Sequence, residues 1–160
     1  MDWISKEMGN AIKRGESIIQ WTTPSGFKVR QKRDKYTMQR LDLKLLGRCA
    51  FSILGAEEGP DISKHKSSGS PNLIHSIDAS LLHLAGLRFD APLAVIHDSV
   101  LCRATDMSTL SAIVRETYMH IFAEQEFLKD FAIQIGAETK PPIIGDLCPE
   151  SVIESTYFFC

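Results

Sequence analysis

An apolar run interrupted by a single carboxylate constrains the fold of this chain more than any other segment. The run extends from Leu93 to Cys102, with strand-forming residues on both sides of Asp98. Because successive strand residues point to opposite faces, His97, Asp98 and Ser99 cannot combine as a Ser-His-Asp triad. The run therefore predicts a tight hairpin that presents Asp98. Metal binding is one reason to place a carboxylate there, and a simple turn-forming role is the alternative.

Size and composition favour one globular domain, or a large piece of one. The chain has 160 residues, of which 44% are hydrophobic, which is enough to bury a core of ordinary size. We expect no membrane segment and no export, because no stretch approaches about 18 consecutive apolar residues and the N-terminus lacks signal-peptide features. The 4 cysteines are scattered without zinc-site spacing, which favours reduced thiols and a cytoplasmic location.

Charge is distributed unevenly along the chain. Residues 28–48 contain eight basic residues against two acidic ones, a local charge of +6, although the whole chain carries only −2. The last fifty residues carry a charge of −5. The basic block is a candidate surface for phosphate groups, and an ordinary solvated strand face is the alternative.

The spacing of apolar residues predicts an α/β (α+β) protein in which β-hairpins pack on amphipathic helices. Predicted helices cover residues 2–14, 71–87 and a long stretch from Thr105 or Asp106 to Pro141. Predicted strands cover residues 18–23, 27–31, 41–45 and the two arms of 93–102. A Gly/Ser/Lys-rich loop near residues 55–70 is expected to be mobile. The aromatic tail over residues 153–160 is expected to dock on the core.

A presented aspartate is a natural ligand for Mg²⁺, which prefers oxygen donors. Two such ions about 3.5–4 Å apart can hold the attacking and leaving oxygens of phosphoryl transfer. That arrangement requires a second carboxylate. Asp78, Asp90 and Asp106 are the candidates within the chain, but periodicity places none of them beside Asp98. The predicted metal site is therefore incomplete.

Two motifs in fixed order carry a family resemblance. Pro71-Asn-Leu-Ile-His-Ser-Ile-Asp78, followed after a helix by Ala94-Val-Ile-His-Asp-Ser99, resembles the C-terminal palm segment of single-subunit DNA-directed RNA polymerases, with the phage-type branch most similar. The resemblance continues through the segments 21–27 with Gln31, 65–66, 114–117 and 154–160. It covers essentially the whole of residues 1–160.

The resemblance implies a role for each matching residue. Asp98 matches the second catalytic aspartate, which binds two Mg²⁺ ions, and His97 is its usual companion in a supporting role. His75 matches a histidine near the ribose of the incoming nucleotide, although a histidine on such a helix is often purely structural. Contacts with the template and the RNA–DNA hybrid are expected from Arg30, Gln31, Lys32, Arg33, Lys35 and Lys66. The implied partners are template DNA, product RNA and ribonucleoside triphosphates.

The C-terminal residues resemble the foot that packs beneath the active site in this family. They are Tyr157, Phe158, Phe159 and Cys160. The resemblance places the chain terminus near the metals, whereas hydrophobic docking alone would also explain the aromatic residues. A viral origin, and hence a host-cell cytoplasm, is also implied by the phage-type branch.

Departures from the family pattern limit what this segment can do alone. Leu81 stands where the family usually has a histidine, and Val100-Leu-Cys102 follows the hairpin turn where a glycine is common. The first catalytic aspartate and the fingers helix, with its lysine and tyrosine, precede this segment in the family. We therefore expect a catalytic fragment that is inactive without the N-terminal remainder of a polymerase, in cis or as a separate chain. The alternative is a non-catalytic nucleic-acid-binding relic or module with the palm fold.

Overall fold

The computed structural model describes residues 2–43, 49–124, 126–143, 145–146 and 148–158. The helices are α1 (Asp2–Lys13), α2 (Ile62–Arg88), α3 (Met107–Met119), α4 (Phe127–Gln134) and α5 (Ser151–Glu154). The strands are β1 (Ile19–Thr22), β2 (Lys28–Gln31), β3 (Asp34–Leu43), β4 (Cys49–Pro60), β5 (Leu93–Ile96) and β6 (Ser99–Cys102). A 3₁₀ turn (Ala104–Asp106) leads into α3, and a π-helical turn (His120–Glu124) follows it. The predicted α+β class is confirmed.

The described strands pair only as three antiparallel hairpins. The pairs are β1 with β2, β3 with β4, and β5 with β6, and these hairpins do not join into a larger sheet within the described residues. The register of β1 and β2 runs from Ile19 opposite Gln31 to Thr22 opposite Lys28. Because a two-stranded hairpin is only marginally stable in water, the helices must supply the core of this protein.

The first apolar cluster joins α1, α2, α4 and the β1–β2 hairpin. Met8, Trp21, Leu73 and Phe131 are its most completely buried members. The rings of Trp21 and Phe131 meet edge to face, with centroids 5.9 Å apart. At the crossing of α1 and α2, Gly69 faces the Met8 side chain so closely that a β-carbon there would collide with the sulfur. Glycine at this position therefore lets the two helices approach.

The second apolar cluster lies between α2, α3 and the β5–β6 hairpin. Its buried members are Ala85, Phe89, Leu110 and Val114, and partly buried residues of the hairpin and the tail pack against them. The hairpin that carries Asp98 thus rests on an apolar platform. No described helix is apolar enough over a sufficient length to cross a membrane.

The predicted loop near residues 55–70 is wrong. Strand β4 continues to Pro60, and α2 begins at Ile62, nine residues before the predicted start. The Asp61 side chain accepts a hydrogen bond from the Lys64 backbone N–H at 3.1 Å and so caps the helix. Within the helix the Ser68 hydroxyl donates to the Lys64 carbonyl at 2.7 Å, so this polar side chain is satisfied there. Pro71, which resembles a first helical residue, lies inside α2.

Two further elements differ from their predicted bounds. The predicted strand 41–45 forms the end of β3 as far as Leu43, and its last two residues lie outside the described residues, as does Arg48 of the basic block. The predicted long helix after Asp106 divides into α3, the π-helical turn and α4. The Asp106 carboxylate accepts from Arg103 Nε at 2.8 Å and does not cap α3 through its side chain.

Candidate functional site

The predicted β5–β6 hairpin is present, and its two-residue turn consists of His97 and Asp98. The last strand pair joins Ile96 to Ser99, so both turn side chains are exposed at the tip. His97 has a φ of 57°, the only positive φ of a non-glycine residue in the part of the chain that the structure describes. A positive φ at the first turn position matches the twist of a tight hairpin but is unfavourable for a side chain with a β-carbon. Such strain occurs preferentially at functional sites.

A cleft between α2 and this turn brings the predicted residues together. Its volume is about 450 Å³, and its lining consists of His75, Asp78, Ala79, Leu82, His97 and Asp98. His75 and His97, which the resemblance places near the nucleotide, therefore face one space together with Asp98, the expected metal ligand. Asp78, which lies one helical turn after His75, shares the cleft and adds a second carboxylate. We call this space the Asp98 cleft.

A second cavity adjoins the Asp98 cleft and is bordered by residues 29–33. We use the name basic strand for residues 28–35, which comprise β2, the two residues after it and the start of β3. The cavity has a volume of about 350 Å³, and its lining consists of Val29, Arg30, Gln31, Lys32, Arg33, Asn72 and His75. We call it the basic cavity. Because His75 borders both spaces, the basic strand and the Asp98 turn lie on either side of one α2 side chain. The structure thus brings the two independently predicted surfaces next to each other.

Gln31 is buried and occupied by other protein groups. The residue is only 4% exposed. Its side chain donates to the His65 carbonyl at 3.3 Å and accepts from Asn72 Nδ2 at 2.8 Å. Its amide nitrogen also lies 3.2 Å from His65 Nδ1. The geometry gives Gln31 the task of joining β2 to α2. Sequence analysis missed Asn72 as its partner, although Asn72 belongs to the motif that begins at Pro71.

His65 is fully buried beside the end of β2. Burial lowers its pKa from the ordinary value of 6.5, and this effect exceeds the opposing influence of the nearby Asp34 and Asp61 carboxylates. The Arg33 backbone N–H donates to His65 Nε2 at 3.2 Å, which requires an unprotonated nitrogen there. A neutral His65 therefore anchors the point where the chain leaves β2 for β3.

The basic strand contains both paired and exposed cations. Lys32 Nζ lies 2.9 Å from Asp34 Oδ2 and 3.2 Å from Glu57 Oε1, and hydrogen bonds to these carboxylates raise the pKa of Lys32. Arg30, Arg33 and Lys35 are exposed. Lys66 is half-buried with its side chain against Gly9 of α1, and it is not among the residues that line either cavity. Lys32 is therefore partly neutralised, whereas the arginines offer open charge.

The Asp98 cleft supplies only part of a metal-binding donor set. Across the described ranges, no three His, Cys, Asp or Glu side chains stand close enough together to hold a metal ion. The cleft does contain the carboxylates of Asp78 and Asp98, and oxygen donors of this kind suit Mg²⁺. Further donors would have to come from outside these residues.

The tail docks through one aromatic ring. Phe158 packs against the second apolar cluster and meets Tyr118 edge to face at a centroid distance of 5.1 Å. Tyr157, by contrast, is 92% exposed. Phe159 and Cys160, which were assigned to the foot, lie outside the described residues. The expected docking is confirmed for Phe158, and its relation to an active site stays a prediction.

A family comparison identifies the class of protein to which this chain belongs. The family model described as DNA-dependent RNA polymerase matches residues 2–146. The chain is a member of this family.

Individual relatives agree with that assignment. The chain is 29% identical over 163 residues to "DNA-directed RNA polymerase" of Pseudomonas phage phiKMV, covering 100% of this chain and 20% of the relative. It is 29% identical over 165 residues to the enzyme of the same name from Enterobacteria phage K11, covering 92% of this chain and 18% of the relative. It is 28% identical over 174 residues to "DNA-directed RNA polymerase 3B, chloroplastic" of Nicotiana tabacum, covering 99% and 17%. The chain thus spans about a fifth of the length of these relatives.

Proposed function

We propose that this chain is the C-terminal catalytic palm segment of a phage-type DNA-directed RNA polymerase. The observation that carries the proposal is the Asp98 cleft, where His75, His97 and Asp98 face one space beside the basic strand. The reaction is nucleotidyl transfer, in which the 3′ hydroxyl of the RNA attacks the α-phosphate of a ribonucleoside triphosphate and pyrophosphate leaves. We place this activity in the cytoplasm of a host cell, in keeping with the phage relatives.

Asp98 binds metal in this proposal. A bound pair of Mg²⁺ ions supplies charge stabilisation for the attacking and leaving oxygens. The Asp98 carboxylate is exposed at the hairpin turn and lines the cleft, where it can reach a ligand. In this proposal the other catalytic aspartate belongs to the N-terminal remainder of the polymerase, as the family resemblance implies.

In this proposal His75 and His97 lie beside the incoming nucleotide in the same cleft. His75 projects from α2 between the two cavities, where its imidazole can contact a ribose hydroxyl and so favour ribonucleotides. His97 occupies the unusual turn position next to Asp98, and its role is to set the direction of that carboxylate. Asp78 supports the helix from within the cleft.

The basic strand contacts the phosphates of the template and the hybrid. Arg30, Arg33 and Lys35 are exposed and carry the charge for these contacts, and Lys66 is a more distant contributor. Lys32 contributes less because it is already paired with Asp34 and Glu57. Gln31 takes part by fixing β2 against α2, since its amide is occupied inside the protein.

A chimeric polymerase tests the proposal directly. The chain replaces the matching fifth of the phage phiKMV polymerase, and extension of an RNA primer on a DNA template is measured without a promoter. Asp98→Ala and Asp98→Asn should each slow extension by at least about 10²-fold, because several kcal/mol of transition-state stabilisation is lost. Asp130→Asn, on the exposed surface of α4, is the matched control and should extend like the unmodified chimera.

A second measurement reports metal proximity without relying on activity. With Fe²⁺ in place of Mg²⁺ and added hydrogen peroxide, which bound Fe²⁺ reduces to hydroxyl radicals, the chimera should be cleaved near residues 97–99, and Asp98→Ala should abolish this cleavage. Extension that survives both Asp98 substitutions would contradict the proposal. A folded chimera that binds template but neither extends RNA nor cleaves near Asp98 would instead favour the non-catalytic nucleic-acid-binding relic.

A further inference from the structure

Arg115 on α3 contacts several groups of the C-terminal tail, which the structure describes as far as residue 158. Arg115 Nη1 donates to the backbone carbonyls of Val152 and Ser155, the latter at 2.7 Å, and lies 3.5 Å from the carbonyl of Ile153. These carbonyls lie in and just after α5, a helix of 4 residues. The last carbonyls of a helix have no partner within it, so Arg115 satisfies groups that the short helix leaves open.

The same guanidinium also holds the aromatic ring of the tail. The central carbon of the Arg115 guanidinium lies 5.4 Å from the centre of the Phe158 ring, within the range of a cation–π contact. Tyr118, one turn further along α3, meets the same Phe158 ring edge to face at a centroid distance of 5.1 Å. Arg115 therefore fixes both the backbone and the ring of residues 152–158.

We call the contacts of Arg115 with residues 152–158 the clamp. Phe158 connects the clamp to the hairpin that presents Asp98. It packs against the second apolar cluster, whose partly buried members include Leu93 of β5 and Val100 of β6. Those two residues form the inner face of the hairpin, and Asp98 lies at its tip. The tail ring and the base of the hairpin thus share one apolar platform.

We propose that Arg115 is a positioning residue for nucleotidyl transfer. It secures the tail so that Phe158 completes the platform beneath the β5–β6 hairpin, and it thereby sets the position of Asp98. This inference rests on the proposed function, because positioning has a catalytic effect only where Asp98 acts in catalysis. The residue type matters, since a planar guanidinium can donate to several carbonyls while stacking on a ring, whereas the compact ammonium of a lysine keeps the charge and some donors but cannot stack.

Arg88 provides a matched control on the other side of α3. It also reaches from one helix to its neighbour, donating to Thr117 Oγ1 at 3.2 Å and pairing with Glu116. These hydrogen-bond and ion-pair partners of Arg88 both belong to α3 and not to the tail. Loss of Arg88 therefore removes a comparable surface arginine without releasing residues 152–158.

The first experiment measures tail attachment in the 160-residue chain. Carboxypeptidase digestion of the unmodified chain is compared with Arg115→Met and Arg88→Met, and the release of C-terminal residues is followed by mass spectrometry. Arg115→Met should release residues through Phe158 at least about tenfold faster, whereas Arg88→Met should match the unmodified chain. Equal release from all three chains would overturn the clamp.

The second experiment measures catalysis in the chimeric polymerase. Arg115→Met should lower kcat for single-nucleotide addition about tenfold with little change in KM, and Arg115→Lys should recover part of the loss. The double variant Arg115→Met with Phe158→Leu should be no slower than the slower single variant, because both changes act through the same ring.

The outcomes separate the two proposals. If Asp98→Ala abolishes extension while Arg115→Met leaves kcat unchanged, the positioning role is wrong and the proposed function stands. If Arg115→Met and Arg88→Met lower kcat and thermal stability in parallel, Arg115 is merely structural and the inference fails. If Asp98→Ala has no effect, the proposed function itself is wrong.

Discussion

The β5–β6 and β3–β4 hairpins share a topology but differ in what lies beneath them. The strands of the first have 4 residues each, and its inner face rests on the second apolar cluster. The strands of the second have 10 and 12 residues, yet no described side chain of either belongs to an apolar cluster. Met38 is 63% exposed and Leu54 is 68% exposed in the longer hairpin. The comparison shows that an apolar platform beneath the strands, rather than the length of strand pairing, distinguishes the hairpin that carries Asp98.

The largest expected effect comes from removing that support. Leu110 is 2% exposed in the second cluster, so Leu110→Ala should lower the free energy of unfolding by about 3 kcal/mol. The same change at the exposed Leu54 should alter it by less than about 0.5 kcal/mol. Urea denaturation of both variants provides the measurement. Equal losses would show that the longer hairpin packs as tightly as the short one.

The second and smaller expected effect is a difference in amide hydrogen exchange between the two hairpins. Amide hydrogens paired within β5 and β6 should exchange at least about tenfold more slowly than those in the middle of β3 and β4, because local opening depends on buried apolar contacts. Hydrogen exchange followed by mass spectrometry can compare peptides covering 93–102 with peptides covering 36–42 and 50–57. Faster exchange in the shorter hairpin would reverse the comparison.

Acidification should weaken the base of the longer hairpin selectively. Because burial lowers the pKa of His65 below 6.5, the unfolded chain binds a proton before the folded chain does. The stabilising effect is therefore complete above pH 6.5 and declines as the pH falls from there towards the lowered folded pKa. Protonation would also displace the Arg33 N–H from His65 Nε2.

The measurement is hydrogen exchange at residues 33–36 and 57–61 at pH 7.5 and 5.5, corrected for intrinsic rates. His65→Asn should be less stable at both pH values but should lose most of the difference between them. A pH dependence that persists in this variant would assign the effect to other groups, among which Asp34 and Asp61 are nearest.

The smallest effect concerns the turn of the short hairpin. His97→Gly should raise the free energy of unfolding by up to about 1 kcal/mol, since glycine adopts a positive φ without strain. Gly26→Ala, at a φ of 82° in the β1–β2 turn, should lower it by about 1 kcal/mol for the opposite reason. Denaturation curves of both variants test the pair. A destabilised His97→Gly would indicate contacts of the imidazole that outweigh its backbone strain.

Local patterns predicted the elements whose causes are local. Strand formers around a central polar pair correctly predicted the turn at His97 and Asp98, and helical spacing correctly predicted α1. The start of α2 was missed because Pro71 is typical of a first helical residue, whereas the Asp61 cap lies in a segment rich in small residues. A close helix crossing at Gly69 and Met8 explains part of that composition, and it depends on residues far apart in sequence.

The candidate site was predictable only as a set of residue types. The family resemblance named His75, His97 and Asp98 but could not show that Asp78 shares their cleft. Nor could charge alone reveal that Lys32 is paired with Asp34 and Glu57 while Gln31 faces inward, because those contacts are tertiary. A complete set of metal ligands could not be predicted either, because no three His, Cys, Asp or Glu side chains lie together in the part of the chain that the structure describes.

The position of His75 has a thermodynamic consequence for any ligand of this protein. One imidazole borders both the Asp98 cleft and the basic cavity. A ligand in one space that reoriented this imidazole would change the side chain that the other space presents, and the affinities in the two spaces would then be linked. By reciprocity, each ligand would change the affinity of the other by the same factor.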